Sequence, residues 1–164
     1  RSRFGIVHNI RFYETDELTS ILKQAVPKLG MDAVDEQSLY CIASRSRGTP
    51  RIALRLLRRV RDFSQVRCDH RFDQSVVNEA LKLEGIDDAG LDTLDRTYLE
   101  TLSTVYEGGP AGVEAIAATM GEDAGTLQDV VEPYLLQAGY LSRTRQGRKI
   151  TELGIKRLEQ QIKG

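Results

Sequence analysis

Arginines stand at two places in this sequence where their spacing could serve phosphate binding. The first is Gly48-Thr-Pro-Arg, in which Thr49 is a favourable helix N-cap and Pro50 suits the first helical position. A cation in the first turn of a helix is disfavoured by the helix dipole, so Arg51 there suggests an anionic partner. The plainer alternative is a solvated basic helix, and the pattern alone does not separate the two.

The second place is the segment 140–151, which alternates in polarity and turns at Gln146-Gly147, as a β-hairpin does. Its basic residues are Arg143, Arg145, Arg148 and Lys149. On a hairpin, arginine suits contact with phosphates and with the shape of a groove better than recognition of bases. The alternative is a hairpin whose charges only keep the surface soluble.

The elements that must position these arginines begin with four segments before residue 85. Each carries apolar residues at helical spacing, which together predict a small helical bundle. The predicted helix starts are Thr15, Asp35, Thr49 and Asp73. Pro27 should end or kink the first helix. The residues predicted to face inward are Leu18, Ile21, Leu22, Ala25, Val26, Leu39, Ile42, Ala43, Ile52, Leu56, Val60, Phe63, Val76, Val77, Ala80 and Leu81.

A second unit is predicted from Thr93, where a helix places Leu94, Tyr98, Leu102 and Val105 at helical spacing. Gly108-Gly-Pro breaks that pattern. The elements that follow are a short helix from Val113 to Met120, a longer helix from Thr126 to Gln137, the hairpin, and a final helix at 152–162. Three helices followed by a hairpin wing is the winged-helix order. The predicted fold class is therefore mostly α, with a helical bundle followed by a winged-helix domain.

The helix from Thr126 to Gln137 holds the position of a recognition helix. Its predicted exposed side carries Gln128, Asp129 and Glu132, and carboxylates there would repel phosphate. A helix that recognises bases normally presents Arg, Lys, Asn or Gln to them. The sequence therefore predicts DNA binding that follows structure rather than base sequence.

The formal net charge of -1 conceals a strong segregation of charge along the chain. Residues 41–72 hold nine Arg against two Asp, whereas residues 73–134 hold fourteen acidic residues against one Lys and one Arg. Residues 141–164 are basic again, with seven basic residues against two Glu. Any contact with DNA should therefore be local.

Composition argues against several other classes of protein. Cys41 and Cys68 are too few and too far apart for a zinc knuckle or a redox pair, and His8 and His70 lack ligand-spaced companions, so no metal site is expected. Cys41 lies in an apolar helical pattern and should be a small buried hydrophobe. With no bilayer-length apolar run and no signal-like core, a reducing cytoplasm is the expected compartment. The sequence has no Gly-x-x-x-x-Gly-Lys-Ser/Thr phosphate loop, so this chain alone should not hydrolyse ATP.

Several segments together resemble the RuvB family of bacterial branch-migration ATPases. Gly48-Thr-Pro-Arg, followed by Arg-Leu-Leu-Arg-Arg-Val-Arg-Asp-Phe at 55–63, resembles the family's sensor 2 segment. The opening Arg1-Ser-Arg-Phe-Gly-Ile-Val resembles the end of its ATPase core. Three later motifs resemble its winged-helix domain in order and spacing: Gly108-Gly-Pro, Glu132-Pro-Tyr-Leu and Arg143-Thr-x-x-Gly-Arg.

The resemblance covers essentially the whole chain and implies the C-terminal part of a longer protein. Residues 1–14 would end the large AAA+ domain and form the hinge, and residues 15–84 would form the AAA+ lid. Residues 85–92, rich in Gly and Asp, would be a connector. Residues 93–164 would form the winged-helix domain.

The resemblance also implies roles for three residues at an ATP site. Arg3 would be an arginine finger that reaches the neighbouring subunit's nucleotide, where a guanidinium stabilises charge on the transferring phosphoryl group. Arg51, as sensor 2, would contact the phosphates bound by its own subunit, and Tyr13 would lie near the adenine. The cofactor would be ATP or ADP with Mg²⁺, held mostly by upstream residues. The plainer alternatives are surface arginines and a half-buried tyrosine.

The implied function is a homohexameric, ATP-driven motor that encircles duplex DNA and moves Holliday junctions in recombination and DNA repair. The implied partners are RuvA, contacted through the upstream domain, and RuvC. The wing departs from the family's Arg-Thr-Pro-Arg-Gly-Arg, because Arg145-Gln146 moves one arginine by one residue and removes the proline. Arg143 and Arg148 match the pattern directly and are the favoured DNA-binding residues, with Arg145 as a third.

Two alternatives of another class stay open at this point. A sequence-specific winged-helix regulator would need a recognition helix richer in base-contacting side chains and would not need Gly48-Thr-Pro-Arg. An initiator of the origin-recognition type would share the architecture but lack the wing motif at 143–148. A third alternative, a structural helical adaptor, leaves the placement of the arginines unexplained.

Overall fold

A computed structural model of the chain describes residues 11–32 and 34–162. The chain divides into two compact units, of which the first ends at Gly90 and the second begins at Leu91. Most of the segment 1–14, which the resemblance assigns to the end of the large domain and the hinge, lies outside the described residues, and so does Arg3. Both units are built chiefly from helices, so the predicted mostly α fold is confirmed.

Four helices form the first unit, and the local chemistry of the sequence explains where they begin and end. Their bounds are α1 Thr15–Lys28, α2 Glu36–Ser44, α3 Pro50–Arg67 and α4 Gln74–Leu83. The carboxylates of Asp35 and Asp73 accept hydrogen bonds from the backbone N–H groups of Ser38 at 2.7 Å and Val76 at 3.0 Å. Both predicted caps are therefore confirmed. Pro27 lies in the last turn of α1, which ends one residue later.

Of the other two predicted caps, Thr15 is wrong, whereas Thr49 is right in position and wrong only in the role of its hydroxyl. Helix α1 begins with a capping box, in which the Glu17 carboxylate accepts the backbone N–H of Glu14 at 2.9 Å, so Glu14 and not Thr15 is the N-cap. Thr49 does hold the N-cap position of α3, but its hydroxyl donates to the carbonyl of Arg47 at 3.3 Å and caps no helical N–H. The hydroxyl is thus engaged by the preceding turn, where Arg47 has a positive φ of 59°.

The apolar faces of α1 to α4 pack into one core. The residues predicted to face inward are buried or pack against this core. Cys41 is buried among them as a free thiol, as predicted. The 3.6-residue period of the sequence therefore locates most of this core, but it omits Ala53 and Leu57, which are fully buried.

The second unit contains five further helical segments and a hairpin. The helices are α5 Thr93–Thr104, α6 Val113–Met120, α7 Ala124–Thr126, α8 Glu132–Gln137 and α9 Glu152–Ile162. Tyr98 and Leu102 are buried as the spacing predicts, but Val105 is exposed. Val105 is the C-cap residue of α5, and its N–H still bonds to the carbonyl of Thr101.

The predicted single helix at 126–137 is wrong, since a π-helical turn at Leu127–Val131 joins α7 to α8. Pro133 has no N–H, so it cannot donate the ordinary helical hydrogen bond to Asp129. The N–H of Glu132 instead bonds to the carbonyl of Leu127, five residues back. This wider turn places Leu127 and Glu132 on the same buried side.

The predicted hairpin is present as β1 Leu141–Thr144 and β2 Gly147–Ile150, paired antiparallel. The two residues between the strands are Arg145-Gln146, so the turn lies one residue earlier than the predicted Gln146-Gly147. Arg145 therefore belongs to the tip of the wing and to neither strand.

Two features are absent from the described part of the chain. None of its helices is long and apolar enough to cross a membrane. Within the same residues, no group of three or more His, Cys, Asp and Glu side chains is placed to hold a metal ion.

Candidate functional site

The register of the hairpin decides which way the wing arginines point. Arg143 pairs directly with Arg148, and Leu141 pairs with Ile150. Side chains of paired residues share a face, and so do residues two apart along a strand. Because Leu141 and Ile150 are buried, both arginines extend from the core-facing side of the hairpin.

A buried carboxylate meets the two arginines there. Glu132 is 0% exposed, and its Oε2 lies 2.6 Å from Nη2 of Arg143. Arg148 binds both carboxylate oxygens, from Nε to Oε1 at 2.9 Å and from Nη2 to Oε2 at 3.2 Å. The buried Tyr98 hydroxyl donates to Oε1 at 2.8 Å. Each oxygen of Glu132 thus accepts two hydrogen bonds, which saturates the carboxylate.

Electrostatics explains why this arrangement is stable. Two like charges directly opposite in a hairpin destabilise the strand pair, and Glu132 supplies the charge that offsets them. Burial raises the pKa of the Glu132 carboxyl, but hydrogen bonds from Arg148, Arg143 and Tyr98 outweigh burial, so the net pKa lies below its usual value. Burial, and then the hydrogen bond to Glu132, raises the pKa of Tyr98, which stays a donor.

The prediction that Glu132 lies on the exposed side of its helix is therefore wrong. The π-turn before Pro133 turns Glu132 inward, whereas Gln128 and Asp129 are exposed as predicted. The sequence did contain a signal for the inward position. Arg143 and Arg148 each stand two residues from a buried apolar residue of the same strand, which indicates that both share the core face and need a buried acid.

The arginines predicted to contact DNA consequently differ in how far their side chains are exposed to a ligand. The side chain of Arg148 is 16% exposed, whereas that of Arg143 is 52% exposed. Arg145 at the tip is exposed, and so is Lys149 on the opposite face of β2. Neither has an ion-pair partner among the described residues. The outward charge of the wing therefore comes from Arg143, Arg145 and Lys149.

A third short extended segment supports the wing. Ala111 exchanges two backbone hydrogen bonds with Arg148, at 2.9 and 2.7 Å. Gly109 and Gly147 make this approach possible, because a Cβ at Gly147 would collide with the backbone of Ala111 and one at Gly109 with the backbone of Arg148. Gly108-Gly-Pro thus leads into a segment that runs along β2, and the carbonyl of Gly108 accepts the backbone N–H of Ile150 at 3.0 Å.

In the first unit, the structure connects Tyr13 to the turn that precedes α3. The backbone N–H of Tyr13 donates to the carbonyl of Gly48 at 2.8 Å. The Phe12 ring packs so closely on Gly48 that a Cβ there would lie 2.9 Å from its Cδ1. The Tyr13 ring stays 39% exposed, with the guanidinium of Arg11 5.6 Å from its centroid.

Arg51 lies in the first turn of α3, as predicted, three residues after Gly48. Its side chain is exposed and has no ion-pair partner among the described residues. The first turn of α3 contains no acidic residue. One turn thus connects the exposed ring of Tyr13 with the guanidinium of Arg51. The ring could stack on a nucleotide base, and the guanidinium could bind a phosphate.

Two protein-family models match the chain in succession. The RuvB AAA lid domain matches residues 13–87, and the RuvB C-terminal winged helix domain matches residues 88–159. The "Holliday junction branch migration complex subunit RuvB" of Rippkaea orientalis is 51% identical over 158 residues, which are 96% of this chain and 44% of that protein.

Solved structures of Thermotoga maritima RuvB are similar as well. One, described as the RuvB Holliday junction branch migration motor, has a TM-score of 0.86 at 45% identity and covers 92% of this chain and 50% of that one. A mutant of the same protein has a TM-score of 0.88 at 45% identity, covering 96% and 52%. The chain spans about half the length of the relatives it matches. With a RuvB lid model and a RuvB winged-helix model matched in order and these relatives alongside, the chain belongs to the RuvB family.

Proposed function

We propose that this chain provides the nucleotide-sensing lid and the DNA-gripping winged helix of an ATP-driven motor that moves Holliday junctions in recombination and DNA repair. One observation carries the proposal: a single chain holds both the Tyr13–Gly48–Arg51 corner and an arginine wing anchored on Glu132. The names of the relatives, which refer to branch migration, support it.

In the nucleotide site, Arg51 contacts the phosphates of ATP or ADP bound with Mg²⁺, and Tyr13 lies beside the adenine. Because the backbone of Tyr13 is hydrogen-bonded to Gly48, in the turn that precedes Arg51, this turn links the two residues of the nucleotide site. Arg3 acts in trans on the nucleotide of the adjacent subunit. The lid comprises residues 15–84 and the winged helix residues 93–164, with the connector at 85–92 between them.

In the DNA site, Arg143 and Arg145 contact phosphates, while Arg148 chiefly anchors the wing through Glu132. A phosphate-binding wing beside a helix that exposes Gln128 and Asp129 favours binding that ignores base sequence. The motor works in the bacterial cytoplasm as a homohexamer on duplex DNA at Holliday junctions, with RuvA and RuvC as partners.

The alternatives are not favoured. A free-standing regulator or an origin-recognition-type initiator would not be expected to match a RuvB lid and a RuvB winged helix in succession. The exposed face of the recognition helix also offers a regulator few groups that could bind bases.

The test uses the whole protein encoded by the same reading frame, with a Gly-x-x-x-x-Gly-Lys-Ser/Thr loop expected before Arg1. Steady-state ATP hydrolysis and dissociation of a fluorescent four-way junction are measured for Arg51→Ala and Arg3→Ala. Each substitution should lower hydrolysis by roughly a hundredfold or more, since each removes a cation from the transferring phosphoryl group. Arg55→Ala, one turn further along α3 and also exposed, is the matched control and should leave hydrolysis unchanged.

Subunit mixing separates the two roles. An Arg3→Ala subunit added to unmodified subunits should suppress hydrolysis by its neighbours, whereas Arg51→Ala should silence only its own site. If Arg3→Ala and Arg51→Ala both hydrolyse ATP as fast as the protein without substitutions, the roles assigned to these two residues are wrong. Absence of junction dissociation by the unmodified protein would contradict the motor itself.

A further inference from the structure

Glu132 accepts more hydrogen bonds than an ion pair with one wing arginine requires. Arg148 alone occupies both of its oxygens, at 2.9 and 3.2 Å, and forms a complete ion pair. The additional contact, at 2.6 Å, goes to Arg143, whose side chain is half exposed. The buried Glu132 carboxylate therefore also binds Arg143, which is the more exposed arginine of the pair and the one that can contact a ligand.

The contact leaves most of the Arg143 guanidinium available. Only Nη2 is bonded to Glu132, and the described residues provide no other partner for the remaining N–H groups. Arginine holds its donors in one plane, so fixing one nitrogen restricts the directions of all of them. A free arginine at an exposed position would lose rotamer entropy when it binds phosphate.

We propose that Glu132 is the positioning residue of the wing, which holds the guanidinium of Arg143 in the orientation that binds a DNA phosphate. This inference rests on the proposed role of the wing in DNA binding. Glu132 touches no DNA itself and acts through Arg143, while Arg148 keeps the carboxylate charged and fixed. The π-turn before Pro133 is what brings the carboxylate to this position.

The opposite effect is expected if Glu132 is only a nearby negative charge. Removal of a carboxylate close to DNA would then strengthen binding, because one repulsive charge disappears. If Glu132 positions Arg143, its removal should weaken binding although the chain becomes more positive. The sign of the change therefore distinguishes the two explanations.

The experiment measures binding of the 164-residue chain to a mixed-sequence 20-base-pair duplex over a range of salt concentrations. Glu132→Gln should weaken binding by about tenfold, the loss of one charge-assisted contact. It should also lower the slope of log K against log salt by about one. Asp129→Asn, an exposed acid on the same recognition segment, is the control and should leave binding unchanged or slightly tighter.

A second variant covers the case in which Glu132→Gln does not fold. Glu132→Asp keeps the charge but shortens the side chain by one methylene, so it should still pair with Arg148 and lose the contact to Arg143. The expected result is weaker binding at unchanged net charge. In an Arg143→Ala background, Glu132→Asp should cause no further loss, whereas a general structural effect would add to that of Arg143→Ala.

The unmodified chain gives a third measurement by NMR. The Nε–H signal of Arg143 should shift when duplex DNA is added, while that of Arg148, bonded to Glu132, should stay in place. Equal or tighter DNA binding by Glu132→Gln would overturn the inference and leave the wing's DNA role intact. An unmoved Arg143 signal at saturating DNA would overturn both the inference and the proposed contact of Arg143 with DNA. A chain that binds no duplex at all would overturn both.

Discussion

At the scale of single residues, the cluster around Glu132 separates arginines that look equivalent in the sequence. Arg143 and Arg148 face each other across the hairpin and share one carboxylate, but only Arg143 is half exposed. A buried charge is tolerated only where ion pairs and hydrogen bonds replace water. Arg148 should therefore contribute mostly to stability, and Arg143 mostly to binding.

The first prediction compares Arg148→Ala with Arg143→Ala in urea unfolding followed by circular dichroism. Arg148→Ala removes two of the four hydrogen bonds to a fully buried carboxylate and should lower the free energy of unfolding by about 3 kcal/mol. Arg143→Ala removes a half-exposed partner and should cost no more than about 1 kcal/mol. Equal losses for the two variants would argue against this division of roles.

The second prediction concerns the loss of unfolding free energy at low pH. The pKa of Glu132 is lowered on folding, so its contribution to stability is present above the unfolded value of about 4.3 and is lost as the pH falls through the folded value. Between pH 7 and roughly pH 3, the unmodified chain should therefore lose more unfolding free energy than Glu132→Gln does. Parallel pH profiles for the two proteins would show that the Glu132 carboxylate is not linked to folding.

At the scale of elements, close backbone approaches at glycines hold both candidate sites in place. Gly147 has a φ of 136° and faces the backbone of Ala111, which pairs with Arg148 of β2. In the first unit, Gly48 has a φ of 67° and lies against the ring of Phe12, the neighbour of Tyr13. Each glycine permits a backbone conformation and a contact that a side chain would prevent.

The third prediction tests the support of the wing with Gly147→Ala. The new methyl group would collide with Ala111 and should destabilise the second unit by about 2 kcal/mol or more, measured by thermal unfolding. The control is Gly112→Ala, where no atom lies within 4 Å of an added Cβ and φ is ordinary. A Gly147→Ala chain as stable as Gly112→Ala would mean that the contact with Ala111 is dispensable.

The fourth prediction tests the corner beneath Arg51 with Gly48→Ala, monitored by hydrogen exchange of the Tyr13 amide. The added methyl group should displace Phe12, break the hydrogen bond from Tyr13 to Gly48 and speed exchange at least about tenfold. Gly30→Ala is the matched control, since its φ of 66° is equally strained but no atom lies within 4 Å. If the Tyr13 amide exchanges at the same rate in both variants, the contact between Gly48 and Phe12 does not control the stability of the hydrogen bond from Tyr13 to Gly48.

Much of this element structure was predictable from local chemistry. Asp35 and Asp73 cap their helices as carboxylates at such positions do, and the bounds of α6, Val113–Met120, follow from the glycines on either side. The hairpin followed from alternation, although its turn is Arg145-Gln146 and not the glycine-containing pair that was predicted. These features depend on residues that are close in the sequence.

The position of Glu132 was not predictable by projecting its helix as a regular one. An ordinary α-helix places residues five apart on different faces, whereas the π-turn aligns Leu127 with Glu132. The cross-strand pairing of Arg143 with Arg148 also depended on the position of the turn, which was predicted one residue too late. A shift of one residue changes the register of a hairpin and hence the partners of its arginines.

At the scale of the whole chain, the segregation of charge matches the separation of the two proposed tasks. The basic residues of 41–72 belong to the first unit and the arginine wing belongs to the second. The acidic block at 73–134 contributes Glu132 to the wing, and two of its fourteen acids, Asp95 and Glu132, are fully buried. The DNA contact should therefore be local, as the composition predicted.

As proposed above, the wing grips duplex DNA through Arg143 and Arg145 without regard to base sequence. The most direct test of this proposal is the salt dependence of binding of this chain to several duplexes and to a four-way junction. Arg143→Ala should lower the slope of log K against log salt by about one, and the double variant with Arg145→Ala by about two, equally for every sequence. An unchanged slope, or a loss confined to one sequence, would contradict the account.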